Sequence, residues 1–283
     1  MDITILDTNI RRFALFLFCF FNIAIDSFAQ DLPILKKSFK NAFAYTKDNQ
    51  LIVSTGNIKR HWTWTGKGFS TSQINDSNEV YTLSNSSDAD WDLGDLGNGK
   101  VVSIVAFRDD DENFTSEHLA VEAEIEYNSL MIKYVIWAYP NAKGLRTQLW
   151  LKKRKGKVLN SDLTKPGISE ALTLKDKPEQ VIAFGYHAGL KADDRPYEIL
   201  AEEEITENGT SNITNGLIVR NKNEGLVLVK ESQKHTHMQS ELETGGFKRQ
   251  NNFISVYGLG LKSEDITSDR YIFCWANWMI LFN

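Results

Sequence analysis

Between positions 119 and 127 apolar and polar residues alternate. Leu119, Val121, Ala123, Ile125 and Tyr127 fall on one side of an extended chain, and Glu122, Glu124 and Glu126 on the other. A period of two with acids on one side predicts a strand with one face in a core and one in water. Only Asn128-Ser129 separates this stretch from the next strand signal at Leu130, a spacing that predicts a hairpin. Further strand signals cover 51–54, 60–65, 101–107, 130–139, 145–152, 181–187, 198–206, 216–220, 226–230, 253–261 and 271–275. Between them lie turn clusters such as Gly97-Asn98-Gly99, Pro140-Asn141-Ala142-Lys143-Gly144, Glu207-Asn208-Gly209 and Asn223-Glu224-Gly225. With hardly any long 3.6-residue period and no repeat of solenoid length, the pattern predicts an all-β protein built as a large antiparallel β-sandwich.

One strand stands out in this pattern, the segment "KRHWTWTGKGF" from Lys59 to Phe69. In an extended chain Trp62 and Trp64 share one face while His61, Thr63 and Thr65 share the other. The indoles either stack on a sugar, fill a core or touch another part of a larger enzyme. Burial is the commoner fate of such large rings. The polar loop at 84–90 runs directly into Trp91, which is expected to present its ring at a loop tip.

The start of the chain changes the picture of location. Arg11-Arg12, an apolar run over 13–25 and the small residues Ser27 and Ala29 form a secretory signal peptide over 1–29, cleaved after Ala29. The alternative, an uncleaved anchor, meets an apolar run shorter than the roughly 20 residues a spanning helix needs. A lipoprotein is disfavoured because Cys19 sits inside that run without small residues before it. The expectation is therefore an exported protein, periplasmic or extracellular, with no membrane association after cleavage and one sandwich domain over 30–283. After cleavage Cys274 is the remaining cysteine, so no intrachain disulfide forms and packing must supply stability. Seven Trp, nine Tyr and sixteen Phe are ample for that. The net charge of −5 and the isolated run Lys152-Lys153-Arg154-Lys155, placed at a hairpin tip beside Gly156, argue against nucleic acid as a partner.

Candidate chemistry is sparse. Asp109-Asp110-Asp111-Glu112 has the oxygen ligands calcium requires but not the spacing of a calcium loop, and reads as a solvated turn. His235 and His237 would share a strand face, with no third zinc ligand nearby. Asp90 with Asp92, and Asp193 with Asp194, offer carboxylate pairs by composition alone, whereas glycoside hydrolysis requires two carboxyl groups at a set spacing. No nucleophile elbow, phosphate loop or dinucleotide fingerprint occurs, so no cofactor and no metal is expected. Asn75, Asn85, Asn113, Asn208 and Asn212 each head an Asn-x-Ser/Thr triplet, which matters only in a host that glycosylates.

Four segments, "HWTWTGKGFSTSQI", "DADWDL", "YPNAKGLRTQLWLK" and "CWANWM", together resemble the amino-terminal β-supersandwich region of secreted bacterial α-galactosidases related to glycoside hydrolase family 36. The resemblance covers most of the mature chain. It implies that a (β/α)₈ barrel carries the catalytic carboxylates, and such a barrel needs roughly 250 residues beyond the sandwich. The chain stops at Asn283, so the resemblance implies a truncated or split product in which no residue is catalytic, with 280–283 not necessarily the family's own continuation. It further implies that Trp62, Trp64, Asp90 and Trp91 lie near the sugar site of a complete enzyme or pack against its barrel. The expected partner is then a galactoside-containing carbohydrate. A free-standing carbohydrate-binding module and an exported structural or interaction protein remain alternatives, and uncovered apolar surface would promote self-association.

Overall fold

The computed structural model describes residues 31–76, 80–82, 88–159, 162–165, 167–186, 200–213, 215–221, 224–232 and 245–282. Strands β1 (Lys36–Phe39), β2 (Ala42–Lys47), β3 (Gln50–Ser54), β4 (Lys59–Trp64), β5 (Phe69–Asn75) and β6 (Val80–Thr82) pair in chain order as a six-stranded antiparallel meander. A second meander follows: β7 (Lys100–Asp109), β8 (His118–Glu126), β9 (Leu130–Ala138) and β10 (Gly144–Lys153). The remaining strands are β11 (Ile168–Thr173), β12 (Gln180–Tyr186), β13 (Leu200–Glu204), β14 (Thr210–Ser211), β15 (Gly216–Asn221), β16 (Glu224–Lys230), β17 (Gly246–Gln250), β18 (Phe253–Tyr257), β19 (Ile272–Phe273) and β20 (Asn277–Phe282). They complete a ten-stranded sheet in the order β13-β12-β15-β16-β20-β10-β9-β8-β7, with β19 beside β10, and a four-stranded sheet in the order β11-β18-β17-β14.

The ten-stranded sheet is one layer of a sandwich, and the two smaller sheets lie side by side on its inner face. Tyr134, on that face of β9, meets Trp62 and Phe69 of the six-stranded sheet at ring-centre distances of 6.1 and 6.2 Å. Thr147, Lys230 and Asn277, on the same face, donate to Glu170, Tyr257 and Ser169 of the four-stranded sheet. One contiguous apolar cluster runs through all three sheets. Each large side chain fully buried in it contributes roughly 1.5–3 kcal/mol.

The expected all-β sandwich is present, with its second layer split in two. The division falls at 88–97, where Asp92 and Asp95 each accept the amide two residues on, from Gly94 at 2.9 Å and Gly97 at 3.0 Å. These side-chain turns divert the chain from a continuous ladder. Among the described residues, an isolated bridge pairs Asp92 of this segment with Ile168 of β11 in the four-stranded sheet.

The 119–127 reading holds. Leu119, Val121, Ala123 and Ile125 are buried, and the amide of Tyr127 donates to Leu130 O at 2.8 Å to close the expected hairpin. Lys152 and Lys153 end β10, and the turn that follows carries Gly156 at a φ of 75°. Ile280, Leu281 and Phe282 belong to β20, an interior strand paired with β16 on one side and β10 on the other.

Candidate functional site

The Trp-x-Trp strand is where the site begins. Burial alternates strictly along β4, with Arg60, Trp62 and Trp64 inward and Lys59, His61 and Thr63 partly exposed. Trp62 is 0 % exposed and Trp64 4 %, so neither offers a ring face to a sugar or to a separate barrel. Trp91 is also 4 % exposed, its ring 5.0 Å from Tyr134. This corrects the loop-tip expectation. The structure does bring the four singled-out residues together, but as a wall of the core: Trp62 and Trp91 converge on Tyr134, and Trp64 packs on Phe69.

What the inward face of β4 also carries is a charge. Arg60 is completely buried. Its Nε donates to Thr71 Oγ1 at 2.7 Å, and its Nη2 donates to Asp90 Oδ2 at 2.8 Å and to Glu170 Oε1. The guanidinium carbon lies 4.7 Å from the centre of the Trp62 ring. A bulge supplies Thr71: opposite His61 and Trp62 the register of β5 slips by one residue, so Thr71 and Ile74, three apart, both point inward. The Thr71 amide donates to Asp90 Oδ1 at 2.7 Å and its hydroxyl to Asp90 Oδ2 at 2.5 Å. Glu170, on β11, also accepts from Thr147 Oγ1 of β10 at 2.7 Å. One cation thus ties together both smaller sheets, the 88–92 segment and, through Thr147, the large sheet.

The cluster is unbalanced, with two buried carboxyl groups facing one guanidinium. Burial pushes the Asp90 carboxyl up to about 7, with the charge of Glu170 adding to the shift and Arg60 and Thr71 opposing it. Burial also works against the charge on Arg60, but Glu170 and Asp90 outweigh it and the guanidinium stays charged. Arg60, Thr71, Thr147 and Glu170 escaped the sequence reading. A signal for Arg60 was there: it shares the parity of Trp62 and Trp64, and a cation on a core face requires buried counter-charge.

Beside Asp90 a cleft of about 720 Å³ opens between β5, the 88–97 segment and β11. Ser70, Thr71, Thr173 and the carboxylates of Asp88, Asp92 and Asp95 line it, with Lys67 at its rim. Its hydroxyls and carboxylates can exchange hydrogen bonds with a hydroxyl-rich ligand. An acid and a nucleophile flanking a bond are not formed here: Glu170 is walled off, and both Asp90 oxygens are engaged by Thr71 and Arg60.

Asp109 accepts the amides of Asp110 and Asp111 in an exposed turn, and among the described residues no group of three or more His, Cys, Asp or Glu is arranged to hold a metal. His235, His237, Asp193 and Asp194 lie outside the described residues.

Sequence comparison finds no matching family model and no matching curated protein. Solved structures similar to this chain include three α-galactosidases. The enzyme from Lactobacillus brevis aligns at a TM-score of 0.52 with 9 % identity, over 83 % of this chain and 39 % of its own. The galactosidase domain of the α-galactosidase-sucrose kinase AgaSK aligns at 0.52 with 10 % identity, over 88 % and 41 %. The family 36 α-galactosidase AgaA from Geobacillus stearothermophilus aligns at 0.50 with 9 % identity, over 83 % and 40 %. Most of this chain thus shares its fold with about two-fifths of each of these α-galactosidases.

Proposed function

We propose that this chain is the non-catalytic, amino-terminal sandwich domain of an exported α-galactosidase-like glycoside hydrolase. In this reading the signal peptide over 1–29 directs export, a separate barrel carries the catalytic carboxylates, and the substrate is a galactoside. The observation that carries the reading is the fold shared with the three α-galactosidases. The engagement of Asp90 and Glu170 by one arginine adds to it, since a glycosidase needs both carboxyl groups open to the glycosidic bond.

The test is hydrolysis of a chromogenic α-galactoside by the purified chain. No turnover above buffer is expected, and turnover abolished in Glu170→Gln would overturn the non-catalytic role. A second reading, a free-standing carbohydrate-binding module, draws on the hydroxyl- and carboxylate-lined cleft beside Trp91. Calorimetric titration with galactose and α-galactosides decides it, because saturable heat supports the module and silence at millimolar sugar removes it.

A further inference from the structure

Strand β2 of the six-stranded sheet divides its side chains between two environments. Ala42 and Ala44 are buried in the core, whereas Phe43, Tyr45 and Lys47 point the other way, the two rings half-buried and the lysine exposed. The register of β1 sets Ser38 opposite Phe43 and Lys36 opposite Tyr45, so both join that outward face. Phe43 and Tyr45 stack on each other, their ring centres 6.1 Å apart and their planes inclined by 23°. An outward strand face is ordinarily polar throughout, and here two aromatic rings stand among lysines.

A groove of about 960 Å³ runs over this pair of strands. Ile34, Phe43 and Tyr45 supply its apolar lining, Lys36, Lys37 and Lys47 supply its charge, and no carboxylate lines it. Among the described residues no ion pair engages these three lysines. In a chain of net charge −5 the groove is thus a local reversal of sign, and it attracts anions. Lysines on an edge strand such as β1 also guard it against pairing with another strand. That role needs neither Lys47, on the second strand, nor two rings between the charges.

We propose that this groove binds an acidic polysaccharide whose sugar units carry carboxylates. Each unit of such a polymer joins an apolar C–H face to a negative charge on one rigid ring, which matches apolar side chains set among cations. A neutral sugar, the ligand suited to the cleft beside Trp91, would leave three lysines unused. The ligand is a polymer because one exposed ion pair contributes little by itself, and linked contacts to several lysines add up. The groove shares no lining residue with the cleft beside Trp91. The α-galactoside assay and the galactose titration therefore succeed or fail without bearing on it.

Calorimetric titration of the purified chain with decagalacturonate tests it, beside decaglutamate, a neutral galactan and vesicles of phosphatidylglycerol. Saturable heat is expected with decagalacturonate, weakening as salt rises from about 50 to 200 mM because the attraction is screened. Decaglutamate, with the same charges on flexible stems, should bind at least about fivefold more weakly, and the galactan and vesicles should stay silent. Lys36→Glu and Lys47→Glu change exposed side chains and should each lower affinity about tenfold. Tyr45→Leu, which keeps apolar bulk but removes the ring, should lower it about fivefold. Lys155→Glu makes the same charge change at an exposed lysine in the turn after β10 and should leave binding unchanged. No heat with decagalacturonate, equal binding of decaglutamate, or an equal loss in Lys155→Glu would overturn the proposal. So would affinity unmoved in both groove lysine variants, or binding to the vesicles alone, which would assign the groove to a membrane surface.

Discussion

Two arginines with carboxylate partners sit on opposite sides of the large sheet and solve opposite problems. Arg60 lies in the middle of the sandwich, fully buried, serving Asp90 and Glu170 at once. Arg146 lies on the outer face of the large sheet and pairs with one carboxylate, Glu231, whose side chain is 38 % exposed. The inner cluster has one carboxyl too many and little water, so it stores electrostatic cost and holds a proton near neutrality. The outer pair is balanced and partly hydrated, so it holds its carboxyl below the ordinary range. The same two residue types thus act as a lock inside and as charge cancellation outside, and their dependence on pH has opposite sign.

The largest effect expected from this contrast is that of Arg60→Met. The substitution keeps much of the volume but leaves two carboxyl groups in the core without their cation. Loss of one partner from a buried ionic cluster costs about 3–5 kcal/mol. Urea unfolding should show that loss, or the variant should fail to fold. A loss below about 1 kcal/mol would break the comparison, since it would make Arg60 equivalent to a surface pair.

Asp90→Asn comes next and sharpens the sign. In the parent the folded-state carboxyl titrates near 7, above the ordinary value of 3.8. Between these values the folded chain holds a proton that the unfolded chain has released, so stability falls as pH rises from about 4 to 7 and then levels off. Asparagine does not titrate and presents an amide where Arg60 needs an acceptor. At pH 5 the variant should be less stable by about 1–3 kcal/mol, the cost of an unsatisfied buried group. That gap should narrow as pH approaches 7. Thermal melts at pH 5, 6 and 7 that show a constant gap would exclude a raised Asp90 carboxyl.

How far the sequence disclosed all this depends on which physical signal each part carries. Strands that alternate, such as β8 and β4, are legible because one face must be apolar. Strand β5 is not, because "FSTSQIN" buries hydroxyls beside Arg60 and contains a bulge that breaks the period of two. Strands β1, β2, β6, β11, β14 and β17 were also missed; several are short or polar and take their order from tertiary pairing. Strand β20 was obscured by its position at the end of the sequence, although "NWMILF" alternates in burial through all six residues. The site was legible in part: Asp90 and the three tryptophans do gather. Their role is set by Glu170 and Thr147, which lie 110 and 87 positions beyond Arg60 in the chain, a separation no local pattern reports.

The smallest effect is expected at the outer pair. Partial burial works to raise the Glu231 carboxyl, but the hydrogen bonds and charge of Arg146, with the Trp278 indole donating to Oε1 at 2.5 Å, outweigh it and hold it below the ordinary 4.5. The unfolded chain then binds the proton first as pH falls, so the stabilisation is present above about 4.5 and lost on acidification through the folded-state value. Glu231→Gln should remove that acid limb while leaving stability between pH 5 and 8 within about 1 kcal/mol of the parent, because Glu231, its side chain 38 % exposed, is screened by water and salt, and the glutamine oxygen still accepts from Arg146, whose own side chain is 9 % exposed. The same melts, extended from pH 5 down to 3, measure it. A loss of several kcal/mol at neutral pH would mean that Arg146 is held as tightly as Arg60. Arg146 would then be a second lock, and the distinction between the two arginines would fail.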